Sequence, residues 1–211
     1  MAGVRTSQNN SSLQPRRAPL QKRSQQRIQQ ILDATAGLLD KVGLDDLTTI
    51  LIAKELGISV GSLYHYFPNK HAILYALGEH WLAEITVVLN DVESWDLAAL
   101  GNDGFVDQYT EAMLVVYRKQ KGVLPLVQAM FAVPELRALD TQHDDLMIAS
   151  LVRIFQRLGI DESNNELQRL GRAHLEFTHA LLLVVASQRG VRAKRTLEDL
   201  KAIMRSFLQR S

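Results

Sequence analysis

Apolar residues recur along most of this chain at the three- and four-residue steps of an α-helix, and nowhere alternate as a half-buried strand requires. Ile28, Ile31, Leu32, Thr35, Leu38, Leu39 and Val42 form one stripe, on a helix predicted to begin near Gln21–Ser24 and to end at Gly43. Asn69 is placed to cap a longer helix with Ile73, Leu74, Leu77, Trp81, Ile85 and Val88 in phase. Gly101–Gly104 reads as a loop, followed by a helix from about Phe105 to Lys121 and a short one around Leu126–Ala132. Pro134 suits the first turn of a further helix running towards Leu158. The pattern closes with a strongly apolar helix over Glu166–Gln188, stopped by Gly190, and a last one over Lys194–Gln209. With two short helices between Gly43 and Asn69, the expectation is an all-α chain of about nine helices without internal repeats.

Those two short helices carry the most specific stretch, T-T-I-L-I-A-K-E-L-G-I-S-V-G-S-L-Y-H-Y-F-P-N-K-H-A-I-L from Thr48 to Leu74. Thr48 is a natural N-cap, and Ile52, Ala53 and Leu56 then share one face. Gly57 offers the positive φ that a sharp stop needs. Ser59 caps a second helix, predicted over Val60–Phe67, whose Leu63, Tyr66 and Phe67 point one way until Pro68 ends it. Two short helices joined at a tight glycine turn make a helix-turn-helix. The small Ala53 lies where the helices cross, and Leu63 fills the angle between them.

Thr48, Ile52-Ala53, Gly57-Ile58-Ser59, Gly61, Leu63-Tyr64, Tyr66-Phe67, Lys70 and Leu74 together resemble the DNA-binding segment of the tetracycline-repressor (TetR) family. The resemblance covers roughly residues 24–77; beyond it only length and helical character are family-like. It implies a three-helix DNA-binding module followed by a helical C-terminal domain that senses a ligand and dimerises. The expected partition is a basic tail over 1–20, the DNA-binding module over 21–70 and the regulatory domain over 71–211. Two positions depart from the family pattern: Val60 stands where many relatives have lysine or another polar residue, and Ile50-Leu51 where polar residues are common. The latter pair suggests extra packing against the first helix or the neighbouring domain.

Composition refines this picture. Residues 1–32 contain Arg5, Arg16, Arg17, Lys22, Arg23 and Arg27 and no acid, although the whole chain carries a net charge of only +1. A basic lead-in beside a helix-turn-helix suits a polyanion, because cations on phosphates release counterions. Cysteine is absent, which points to a reducing, cytoplasmic setting without thiolate chemistry. No run of about 18 apolar residues suggests a membrane partner.

Candidate DNA contacts follow from side-chain chemistry. Outward on the second helix, Val60, Gly61, Ser62 and His65 are expected to approach base edges. Thr48, Thr49, Ser59, Tyr64 and Lys70 offer hydroxyls and one amine suited to phosphates; for Tyr64 and Lys70 the family resemblance implies the same. In the C-terminal part, Tyr109, Met113, Tyr117, Met130, Phe131, Met147, His174, Phe177 and His179 suit a mostly apolar pocket with a few orienting groups. Leu175, Leu182 and Val185, followed by Leu200 and Phe207, suggest the dimer surface. Glu176-Phe177-Thr178-His179 is half of a di-iron bundle motif without its second half, so no metal, cofactor or catalytic residue is expected. The expected partners are a double-stranded DNA operator, an unknown small-molecule effector and a second copy of the chain. The function expected from this resemblance is that of a sequence-specific DNA-binding transcriptional regulator, a repressor released from its operator by a small, largely apolar ligand. The alternative is a helix-turn-helix protein without a ligand, constitutive or controlled by a partner.

Overall fold

The computed structural model describes residues 17–209, with side chains from Lys22 onward, so most of the basic tail lies outside the described residues. Nine helices follow in order among them: α1 (Arg17–Val42), α2 (Thr49–Glu55), α3 (Val60–Tyr64), α4 (Lys70–Glu93), α5 (Leu97–Lys119), α6 (Val123–Ala132), α7 (Pro134–Arg157), α8 (Asn164–Ser187) and α9 (Gly190–Leu208). No strand is present among these residues.

Local chemistry sets the helix starts. The side chains of Thr48, Ser59, Asn69, Asp96 and Ser163 each accept a backbone N–H three residues on, at 2.9 to 3.3 Å, where a helix has no internal acceptor for it. Several boundaries differ from the sequence reading, among them the start of α9, which is Gly190 rather than Lys194. α1 opens at Arg17, inside the segment expected to be tail. Gly101–Gly104 is not a four-residue loop: α5 starts at Leu97, Gly101 alone, at φ 63° and ψ −178°, interrupts helical geometry, and the second helical stretch resumes at Asn102, ahead of the expected Phe105. α6 starts at Val123, because Pro125 falls in its first turn, where its missing N–H costs nothing.

One continuous apolar core runs from α1 to α9. Ile31 and Leu39 of α1, Leu47, Ile52 of α2 and Leu63 of α3 are fully buried and hold the small N-terminal bundle together. α4 then passes through everything else. It is long and apolar enough to cross a membrane by length and composition, with a mean hydropathy of 1.4. Yet Ile73, Leu74, Leu77, Trp81, Leu82, Ile85 and Leu89 are buried in the protein's own core. Its far end is pinned by α7: Arg153 pairs with the Glu93 carboxylate, and Arg157 donates to the Glu93 and Trp95 carbonyls at 2.8 and 2.7 Å. The guanidinium of Arg153 holds the Glu93 carboxyl below its usual range.

Candidate nucleic-acid interface and ligand cavity

The helix-turn-helix is built around Gly57. Its φ of 64° lets the chain reverse after α2. The Ile58 N–H then reaches the Ala53 carbonyl (3.0 Å) and the Gly57 N–H that of Lys54 (3.2 Å), the paired bonds that satisfy a helix C-terminus through a left-handed residue. Ala53, 1% exposed, lets α3 approach, and Leu63 closes the angle. α3 is shorter than expected: it ends at Tyr64, and His65–Tyr66 form a turn whose backbone bonds return to Gly61 and Leu63. Phe67 is buried as expected, while Tyr66 is only half-buried.

Gly61, Ser62, Tyr64 and His65 are exposed and Val60 is half-buried against the core. Several polar groups are already engaged. Thr48 and Ser59 serve as caps, the Ser62 hydroxyl lies 2.9 Å from that of Ser59, and the Thr49 and Tyr64 hydroxyls are 3.2 Å apart. Lys70 donates to the Leu44 carbonyl at 3.3 Å, which uses one of the three ammonium hydrogens and ties the start of α4 to the α1–α2 connection. The structure adds two cations that the sequence left in an undifferentiated basic stretch: Arg23 and Arg27, one turn apart on α1, share a surface groove with His65 and Tyr66. Their spacing of four was the available signal. Ile50 is a correction, being 68% exposed rather than packed; Leu51 alone of that pair reaches the core.

The C-terminal helices enclose a second feature. α4 contributes Trp81, Leu82 and Ile85, α5 contributes Tyr109, Met113 and Tyr117, α7 contributes Asp140, His143, Asp144 and Met147, and α8 contributes Leu175, Thr178 and His179. These side chains surround about 20 Å³ of free space, room for one water molecule. Tyr117 Oη lies 2.7 Å from His179 Nδ1, and Trp81 and Tyr117 meet edge to face at 5.4 Å. Burial pushes the Tyr117 phenol up and the His143 and His179 imidazoles down. Burial, with Asp144 and Glu176 nearby, raises the Asp140 carboxyl to about 6. A wider groove of about 790 Å³ between α7 and α8 is open to solvent and lined largely by polar residues such as Asn164, Gln168 and Arg169.

Comparison with known proteins fits this geometry. Residues 31–77 match the model of bacterial regulatory proteins of the tetR family, and residues 103–208 the model of the tetracycline repressor-like C-terminal domain. The chain belongs to the TetR family. It is 28% identical over 144 residues to the HTH-type transcriptional regulator BetI of Vibrio parahaemolyticus, covering 67% of this chain and 66% of that protein. Over 54 residues it is 46% identical to the Escherichia coli tetracycline repressor protein class A from transposon 1721, covering 26% of this chain and 25% of that one. The chain thus spans between a quarter and two thirds of these curated relatives. The crystal structure of a TetR transcription regulator from Haloarcula marismortui shares the fold, with a TM-score of 0.69 at 19% identity over 88% of this chain and 97% of that one. Resemblance in sequence had ended near residue 77, so the C-terminal match extends it.

Within this TetR-family fold the expected pocket residues divide. Tyr109, Met113, Tyr117, Met147 and His179 line the cavity. His174 lies behind it, its ring 5.4 Å from Tyr109, with neither nitrogen hydrogen-bonded. Met130 instead packs α6 onto α4, its methyl where a side chain on Gly78 would be. Phe131 and Phe177 are corrections, 58% and 41% exposed, because they lie on the outer sides of α6 and α8. Trp81, Asp140, His143 and Asp144 were missed; the last three fall in phase with Leu136, Met147 and Leu151, the inward stripe of α7.

The expected dimer stripe also needs correcting. Leu182, Val185 and Leu200 are 0% exposed within this one chain and offer no surface to a second copy, while the half-buried Leu175 lines the cavity. The outward face of α8 carries Phe177, Leu181 and Val184 instead, with Phe177 edge to face on Phe207 of α9 at 5.4 Å. Glu176 and His179 part company as well: Glu176 lies 3.6 Å from Arg172, while His179 turns to Tyr117.

Proposed function

We propose that this protein is a sequence-specific DNA-binding transcriptional regulator, a cytoplasmic repressor released from its operator by a small ligand. The observation that carries the reading is the outer face of the helix-turn-helix, where exposed Ser62 and His65 are flanked by the Thr49 and Tyr64 hydroxyls and by Arg23 and Arg27. Side chains near the start of such a second helix reach base edges in a major groove, while hydroxyls and guanidinium groups around them hold phosphates. Residues 21–70 form the DNA-binding module in this reading, and 71–211 the regulatory and dimerising part.

A single helix-turn-helix covers few base pairs, so two copies acting through a twofold axis suit the task. The apolar face of Phe177, Leu181 and Val184, next to Phe207, supports α8 and α9 as the surface that joins them. Support for ligand control comes from family membership and from the mixture of aromatic, thioether and ionisable groups around the cavity. One observation favours a second reading, a DNA-binding protein without a ligand: the free space is only about 20 Å³.

Selection of bound duplexes from a random pool by the full chain tests the first part. Enrichment of two inverted half-sites about one helical turn apart is expected; an unenriched pool overturns the reading. A small-molecule library screened for release from the selected duplex tests the second part. A library in which no compound releases the protein favours the ligand-free reading.

A further inference from the structure

The inward stripe of α7 carries charge where packing calls for apolar side chains. Leu136, Met147 and Leu151 on that stripe are at most 1% exposed, and between them in phase lie Asp140, His143 and Asp144. Asp140, His143 and Asp144 are half-buried, and a carboxylate partly withdrawn from water is costly unless a cation or a set of donors compensates. Asp144 has such a partner, with Arg172 Nη1 at 2.7 Å. The same guanidinium also faces Asp145 at 3.8 Å and Glu176 at 3.6 Å, so three acids already share it. Asp140 makes no hydrogen bond or ion pair among the described residues. The two histidines of the cavity supply no compensating charge, since burial disfavours their protonated forms.

The opposite wall is aromatic. Trp81 and Tyr117 stand edge to face, and Tyr109 lies on the same side. Indole and phenol faces attract cations and provide apolar contact for a ligand body.

We propose that the effector of this cavity is a small organic cation, an alkyl- or arylammonium, whose head meets Asp140 and whose apolar body lies against Trp81 and Tyr117. This rests on the ligand-controlled reading above and names the ligand class for it. Burial and the neighbouring acids raise the Asp140 carboxyl to about 6, and the Arg172 guanidinium, shared with Asp144, Asp145 and Glu176, only partly offsets this. Anions are repelled by Asp140 and Asp144 together, and a neutral isostere gains contact without charge pairing. Entry requires more room than the closed cavity holds; Met113 and Met147, flexible thioethers on two facing walls, are the side chains able to rotate and supply it.

The test is isothermal titration of the purified full chain at pH 7.5 with phenethylammonium and butyltrimethylammonium, against phenethyl alcohol and phenylacetate. Both cations are expected to bind at least tenfold more tightly than the alcohol or the carboxylate. Asp140→Asn is expected to remove that preference while leaving helix content and alcohol binding intact, and Asp145→Asn, outside the cavity, to keep it. Equal binding of alcohol and cation, an unchanged preference in Asp140→Asn, or no binding by either cation overturns the proposal. The ligand-controlled reading falls separately, on a library in which no compound of any charge releases the protein from its selected DNA.

Discussion

Gly122, the residue before α6, lies so close to Leu39 of α1 that a methyl group on it would come within 2.7 Å of the leucine Cβ. The same methyl would meet the Ala36 carbonyl oxygen at 2.9 Å and the Asp40 nitrogen at 3.0 Å, both backbone atoms that cannot step aside. The backbone there also has φ 63°, which glycine adopts without strain. Gly122→Ala should therefore cost about 2–4 kcal/mol in urea unfolding, from left-handed strain plus overpacking. Gly159 supplies the control: φ is 84° but nothing lies within 4 Å, so Gly159→Ala should cost only the conformational part, about 1 kcal/mol. Equal losses for the two would mean that α6 does not press on α1.

At the proposed DNA face, affinity and preference should separate. Tyr64→Phe removes an exposed hydroxyl and its 3.2 Å contact with Thr49, so folding stability should stay within about 0.5 kcal/mol while all DNA sequences bind more weakly. Arg27→Ala and Lys70→Ala should each reduce the slope of log affinity against log salt by about one. Lys70→Ala should also lose about 1 kcal/mol of stability with its bond to the Leu44 carbonyl. His65→Ala should instead blur preference at particular positions by about 1–3 kcal/mol. Titrations on selected and scrambled duplexes at several salt concentrations separate these outcomes.

Two glutamate substitutions on α8 should behave in opposite ways. Leu182 is fully buried within the chain, so Leu182→Glu should lose about 3–5 kcal/mol and much of its helix content. Phe177 is 41% exposed beside Phe207, so Phe177→Glu should keep its helix content and sediment as a monomer. A folded Phe177→Glu variant that still sediments as a dimer puts the contact between copies elsewhere.

His174 gives the fold a dependence on acid. Its ring is packed among Phe105, Tyr109 and Phe155, has no hydrogen-bond partner, and burial lowers its pKa to about 4 from 6.5. The folded state thus binds a proton less readily than the unfolded one. The stability this group contributes is complete above pH 6.5 and is lost as pH falls towards 4, by about 3 kcal/mol at most. His174→Leu should erase that part of the acid sensitivity and raise stability at pH 7, since it removes two unsatisfied polar atoms. Urea unfolding of both proteins between pH 4 and 7.5 measures the difference.

What could be read in the sequence was whatever rested on local chemistry. Thr48, Ser59 and Asn69 cap the helices they were expected to cap, and Gly57 makes the turn, because each acts within a few residues of itself. Errors arose where partners come from distant segments. Leu182 and Val185 read as a surface stripe because α8 is apolar on several sides, and only the packing of α5, α7 and α9 against it decides which side is inner. Asp140 and Asp144 drew no attention as charged residues; their significance depends on Trp81 and Tyr117 facing them from two other helices. The aromatic character of Phe131 suggests a pocket, but the direction it faces follows from how α6 lies on α1, α4 and α7.

The pinned end of α4 has a mechanical consequence. The helix spans 24 residues, about 36 Å, with Glu93 clamped by two arginines and Lys70 beside the helix-turn-helix at the other end. Trp81 stands near the midpoint, so a sideways push there is about doubled at Lys70. A tilt of about 5° around Glu93 carries Lys70 roughly 3 Å, the length of a hydrogen bond. In the proposed reading the rod is a lever, with its fulcrum at α7, its load at the helix-turn-helix and its handle in the cavity wall.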